Sequence, residues 1–194
     1  YSKQYLDKAD EGDLPYSASS FAIMASGEPF RLMSDLSQGK AVFMDITNEF
    51  LLPYQYEGIE KISPEKAARN LLSVSAENHF CLFEYFLTDY YGHGRGTKED
   101  LDRALKHIDV FVENIVMQLP DDTVFIISSD HGNIEKINHK PHTFNPVPLI
   151  VVNKNHVIRD YFVENISSIV DVTPAIVEAF KTFAPLTNWN IPVN

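Results

Sequence analysis

Apolar residues along this chain fall into two kinds of run, and their order predicts the architecture. Short clusters within Lys40–Thr47, Phe80–Leu87, Asp122–Ser128 and Pro148–Val152, the last two rich in β-branched residues, have the length and near-continuous apolar character of buried strands. Between them the apolar positions recur at helical spacing. Ser63-Pro64-Glu65 offers an N-cap hydroxyl, a proline at the first helical position and an early acid, so a helix is expected from Pro64 to about Ala76, with Ala67, Ala68, Leu71 and Leu72 on its apolar face. Thr97 and Asp100 form a capping arrangement for the longest helix, which runs to about Leu119 and presents Leu101, Leu105, Ile108, Val112, Ile115 and Leu119 on one side. A short helix is expected within Ser17–Ser26. Asp171-Val172-Thr173-Pro174 opens a final one through about Phe180. The alternation β, α, β, α, β predicts an α/β fold: a largely parallel sheet flanked by helices.

Chemistry-bearing residues gather at the predicted strand ends. Asp89 and His93 follow the second strand and lead into Gly92, Gly94 and Gly96; Asp130 and His131 end the third; His142 precedes the fourth. Ligands of open α/β sheets bind beyond the carboxyl ends of the strands, so these five side chains are expected to share a pocket. Hard carboxylate and borderline imidazole donors on short connections suit a divalent metal. Taken singly, an Asp or His after a strand is more often a cap or turn former, and only their joint occurrence favours ligation. His139 is an alternative or additional ligand to His142, whereas His79, His107 and His156 are read as ordinary surface or helix residues.

Composition narrows the classes. At 194 residues and 44% hydrophobic content the chain can bury a core, and its net charge of -11 with pI near 5.0 disfavours nucleic acid and anionic membranes as partners. The single Cys81 excludes an internal disulfide and fits a cytoplasmic protein. No run approaches the roughly 20 apolar residues of a membrane span. The first residues, Tyr1-Ser2-Lys3-Gln4, have neither an initiator Met nor the shape of a signal peptide, and suggest a chain cut from something longer.

Ser129-Asp130-His131-Gly132-Asn133, followed by His142-Thr143 and Asn145-Pro146-Val147-Pro148, with Asp89 and Gly92-His93 upstream, resembles the metal-binding half of cofactor-independent phosphoglycerate mutases and phosphopentomutases, within the alkaline phosphatase superfamily. The likeness covers about residues 40 to 180. It implies an alkaline phosphatase-like core and two divalent ions, manganese or zinc. Asp89, His93 and His142 would hold one ion; Asp130 and His131 would supply part of the shell of the other. Asn133 and Thr143 would orient ligands, and Arg95, in the glycine loop, is the candidate contact for a substrate phosphate.

The sequence also departs from the family pattern. The nucleophilic Ser or Thr and a further Asp ligand lie early in the family's chains, and no such segment precedes Asp89 here. Asp45 with Ser73 or Ser75 is a weak substitute. The reading that results is a C-terminal portion of a phosphomutase or phosphatase acting on a small phosphorylated metabolite, inactive alone. Residues 1–40 would be the remnant of a cap or connecting segment and 41–194 the metalloenzyme core. Hydrolysis of a phosphodiester, sulfate or phosphonate, or a non-catalytic metal-binding module, are the alternatives.

Overall fold

A computed structural model of the chain describes residues 1–12, 15–137 and 141–183. They divide into two compact units, Tyr1–Tyr85 and Phe86–Asn194. The boundary between these units lies at the end of the second predicted strand.

In the first unit, helices α1 (Lys3–Asp10), α2 (Ala18–Ser26), α3 (Met33–Ser37) and α4 (Pro64–Ala76) are joined by irregular chain and a 3-10 turn at Glu49–Tyr54. The serine-led starts are realised: Ser17 and Ser63 each accept a backbone N–H from the first turn of α2 and α4. Leu36, Ile46, Leu51, Ala67, Ala68 and Val74 are its main buried apolar residues.

The strand predicted over 40–47 does not form. Asp45 is 1% exposed, and its two carboxylate oxygens accept the backbone N–H groups of Asn48 and Phe50, both at 2.8 Å. A side chain that captures these donors offers the backbone a turn in place of a ladder. Ile46 and Asn48 consequently sit at φ 69° and 63°, a left-handed conformation that a β-branched residue adopts only when its surroundings hold it there. Burial pushes the Asp45 carboxyl above its ordinary range, against the lowering effect of the two N–H donors.

The second unit contains α5 (Leu87–Gly92), α6 (Lys98–Gln118), β1 (Phe125–Ile127), β2 (Ile150–Val152), α7 (His156–Asn165) and α8 (Ile169–Phe183). Among the described residues the sheet has these two strands alone, and they are antiparallel, with Phe125 opposite Val152 and Ile127 opposite Ile150. The expected parallel order is therefore not found among the described residues. Phe80–Phe86 alternates between exposed and half-buried positions, as an extended chain should, yet no described strand pairs with it. Leu87, expected to end it, is instead the first residue of α5.

Phe162, Ile166, Ala175 and Ala179, from α7 and α8 and the turn between them, form a core against Ile126 and Val151 of the two strands. On α6 the buried positions are Leu101, Ala104, Phe111 and Ile115, while Leu105 is 42% exposed. The apolar stripe is thus rotated toward Ala104 and Phe111 relative to the expected face. Among the described residues no helix is long and apolar enough to cross a membrane.

Candidate metal centre

Asp89 and His93 are brought together by helix geometry and not by a strand end. Asp89 lies in α5 and His93 caps its C-terminus, so a spacing of four puts both on one face. Asp89 Oδ1 is 3.3 Å from His93 Nε2. His142 arrives from the other side, in a segment fixed by the Thr143 N–H donating to the Gly132 carbonyl at 2.8 Å. Its Nε2 is 3.3 Å from Asp89 Oδ1 and 3.3 Å from His93 Nε2.

Three potential ligand atoms thus form a triangle with 3.3 Å edges. A tetrahedral ion with bonds of about 2.0–2.1 Å to nitrogen and oxygen separates its ligand atoms by about 3.3–3.4 Å. The spacing fits a single ion in contact with all three. His131 joins the group: its ring stacks on that of His142 with centroids 3.5 Å apart, and Asp89, His131 and His142 each offer a ligand atom within 4.8 Å of the others. Among the described residues the buried Nδ1 of His131 has no hydrogen-bond partner, an orphaned polar atom that fits a ring placed to ligate an ion. The His142 side chain is 45% exposed, against 25% for His93 and 26% for His131, so the centre opens to solvent on the His142 side.

A supporting layer surrounds these groups. Asn133, 5% exposed, donates through Nδ2 to Asp89 Oδ1 at 2.6 Å. This contact requires Gly92, because a Cβ there would lie 2.6 Å from the Asn133 Cγ. Gly132 is held to the same requirement by Glu135, whose Oε1 would be 2.6 Å from an added Cβ. Thr143 Oγ1 makes a very short hydrogen bond to Glu135 Oε1, to which Asn145 Nδ2 also donates at 2.9 Å. These donors, with the Asn133 N–H, hold the Glu135 carboxyl down at about 2. Sequence reasoning did not single out Glu135. The signal available was a carboxylate inside the loop that carries Asp130, His131 and Asn133.

The remaining expected residues are placed as follows. Asp130 stands beside His131, Oδ2 to Nε2 3.4 Å, but its side chain is 77% exposed and outside the group formed by Asp89, His93, His131 and His142. His131 also packs on His142, so the Asp130–His131 pair adjoins the triangle of Asp89, His93 and His142. Arg95 is exposed, with its guanidinium over the Tyr90 ring at 5.3 Å from the centroid. His139 lies outside the described residues. Asp45 is a turn-building carboxylate in the first unit, and Ser75 donates to the Leu72 carbonyl of its own helix.

Comparison with known proteins bears on the same residues. The chain is 27% identical over 161 residues to a 2,3-bisphosphoglycerate-independent phosphoglycerate mutase of Ehrlichia canis, covering 76% of this chain and 31% of the relative. It is 32% identical over 88 residues to a phosphopentomutase of Alkaliphilus oremlandii, covering 42% and 22%. A phosphopentomutase of Thermotoga petrophila is 26% identical over 159 residues, covering 80% and 37%. The chain thus spans between 22% and 37% of the length of these relatives. No solved structure matches it. The model of the Metalloenzyme superfamily matches residues 52–183, well over half of the chain and the whole of the centre described above. With that match the α/β class and the divalent-metal chemistry follow together: the chain belongs to the Metalloenzyme superfamily.

Proposed function

We propose that this chain carries the metal-binding part of the active site of a phosphomutase-like enzyme, which transfers a phosphoryl group on a small phosphorylated metabolite in the cytoplasm. The observation that carries the reading is the 3.3 Å triangle of Asp89, His93 and His142, whose dimensions suit one ion. Asp130 and His131, 3.4 Å apart, supply part of the shell of a second. Manganese or zinc is the expected metal, because three imidazoles and a carboxylate converge. Bound there, divalent ions supply Lewis-acid neutralisation of phosphate oxygens. The chain's own residues then orient and select: Asn133 fixes Asp89, Thr143 holds the segment carrying His142, and Arg95 offers a guanidinium to an anionic substrate group. No nucleophile is assigned in this chain, and the 194-residue chain alone is expected not to turn over.

The test is metal uptake. The purified chain, dialysed against manganese or zinc, is expected to retain at least one ion per molecule, and His142→Ala to lose it. Full retention by His142→Ala, or none by the wild type, would sink the reading. Uptake by wild type, combined with phosphatase and mutase inactivity of both this chain and a longer form, would instead favour the non-catalytic metal-binding module.

A further inference from the structure

The loop that carries His131 and the segment that carries His142 come from different stretches of chain, and something must fix their separation to within fractions of an ångström. The backbone supplies one tie, the Thr143 N–H to the Gly132 carbonyl at 2.8 Å. The structure assigns the remaining ties to one side chain: we propose that Glu135 is a positioning residue that clamps the two metal-ligand segments together. This inference rests on the metal-centre reading above.

Four observations carry it. Glu135 lies in a 3-10 turn, Ile134–Lys136, immediately after the loop that bears His131 and Asn133. Its Oε2 accepts the Asn133 N–H at 2.8 Å, and Asn133 in turn donates to Asp89 Oδ1 at 2.6 Å. Its Oε1 accepts from Thr143 Oγ1 and from Asn145 Nδ2, the residues that flank Phe144 just beyond His142. The carboxylate passes directly under Gly132, where an added Cβ would meet both Glu135 Oε1 and Thr143 Oγ1. One oxygen therefore holds the loop behind Asp89 and His131, while the other holds the segment of His142. Phe144, flanked by these ties, is fully exposed and makes no packing contribution of its own to the segment. Positioning here depends on polar ties.

Carboxylate acceptors form stronger, shorter bonds than neutral ones, and partners one step removed from the ligands typically change metal affinity by roughly ten- to a hundredfold. Glutamine in place of Glu135 keeps the shape but turns an NH2 group toward donors, which breaks at least one tie.

The experiment uses the full 194-residue chain with Co2+ as a spectroscopic probe. Affinity and the visible absorption band of the cobalt-loaded protein are recorded for wild type, Glu135→Gln, Thr143→Val and Thr143→Ser, with far-UV circular dichroism of the metal-free forms. Glu135→Gln and Thr143→Val are each expected to weaken Co2+ binding roughly ten- to a hundredfold and to shift the band. Thr143→Ser, which keeps the hydroxyl, should bind as wild type, and the Glu135→Gln/Thr143→Val double variant should be no worse than additive in log affinity. A purely structural role would lower the melting temperature of the metal-free chain and leave the band unmoved, and that result overturns the proposal. So does Co2+ affinity within twofold of wild type in Glu135→Gln. Should that variant not fold, Thr143→Val decides by the same two readouts. If the wild type itself takes up no cobalt, the metal-centre reading fails and this inference falls with it; uptake by wild type with unaffected variants fails this inference alone.

Discussion

Two carboxylates in this molecule do similar bonding work and end in opposite electrostatic states. Asp45, in the first unit, accepts two backbone N–H groups and is almost wholly buried. Glu135, in the second, accepts one backbone N–H and two side-chain donors at an exposed position. Burial outweighs the donors at Asp45 and raises its carboxyl; the donors outweigh a small burial effect at Glu135 and lower it to about 2. Hydrogen bonds to an anion favour it only when the solvent it gives up is fully replaced. Asp45 thus shapes a turn at an electrostatic disadvantage, whereas Glu135 remains a firm anion beside a group of metal ligands.

The largest stability effect that would sharpen this contrast is at Asp45. Asp45→Ala removes the acceptor for two N–H groups in a buried turn, each left unsatisfied at about 1–3 kcal/mol. It also withdraws the support for the left-handed Ile46. Chemical denaturation should show a loss of roughly 3 kcal/mol, with metal uptake by the folded fraction unchanged. Glu135→Gln should shift the balance the other way: metal affinity falls, and the stability loss is smaller than at Asp45, because the Glu135 carboxylate itself is solvent-exposed. If Asp45→Ala were as stable as wild type, the turn would not depend on its carboxylate.

The two groups should also respond to pH with opposite sign. Glu135 has a folded value of about 2, below the ordinary 4.5, so the stability it contributes is present above pH 4.5 and is lost as pH falls toward 2. Asp45 is raised above 3.8, so its contribution is fully present below that value and lost as pH rises through the folded value. Melting curves of the metal-free chain should therefore show an acid limb that flattens in Glu135→Gln. In Asp45→Asn the weakening that begins above pH 3.8 should be reduced. An acid limb unchanged by Glu135→Gln would mean that its ties are absent in solution.

The same contrast explains what the sequence disclosed. Ser63-Pro64 and Thr97 with Asp100 mark helix starts by local chemistry alone, and α4 and α6 begin where those residues place them. The strands expected over 40–47 and 80–87 depended on apolar character, which does not specify partners. At 40–47 one carboxylate diverted the backbone into a turn, and at 80–87 no described strand completes a ladder. The cluster of Asp89, His93 and His142 was legible because ligand chemistry and the spacing of four survive an error in the local element: α5 brings together what a strand end was expected to. Membership of the superfamily was legible from the same motif. Glu135 was not, because its role lies in donors from Thr143 and Asn145, eight and ten residues away across a loop. Nor did the sequence show that His131 would stack on His142 while Asp130 faced solvent.

The smallest effect concerns the helix caps that were read correctly in both units. Ser63 Oγ accepts the Lys66 N–H at 3.3 Å, a single long bond at the start of α4. Thr97 forms a reciprocal arrangement on α6: its Oγ1 accepts the Asp100 N–H at 3.1 Å, and Asp100 Oδ2 accepts the Thr97 N–H at 3.0 Å. Arg103 further engages Asp100 at 2.6 Å, and these partners hold the Asp100 carboxyl below its ordinary range. Removal of an N-cap hydroxyl typically costs about 1 kcal/mol. Thr97→Ala should approach that figure and Ser63→Ala should fall to roughly half of it, measured as the shift in urea midpoint of the metal-free chain. Equal losses would show that the second half of the capping box adds nothing once the first is made. A larger loss at Ser63 would mean that Pro64, already fixed for the helix, makes α4 more dependent on its cap than α6 is on its box.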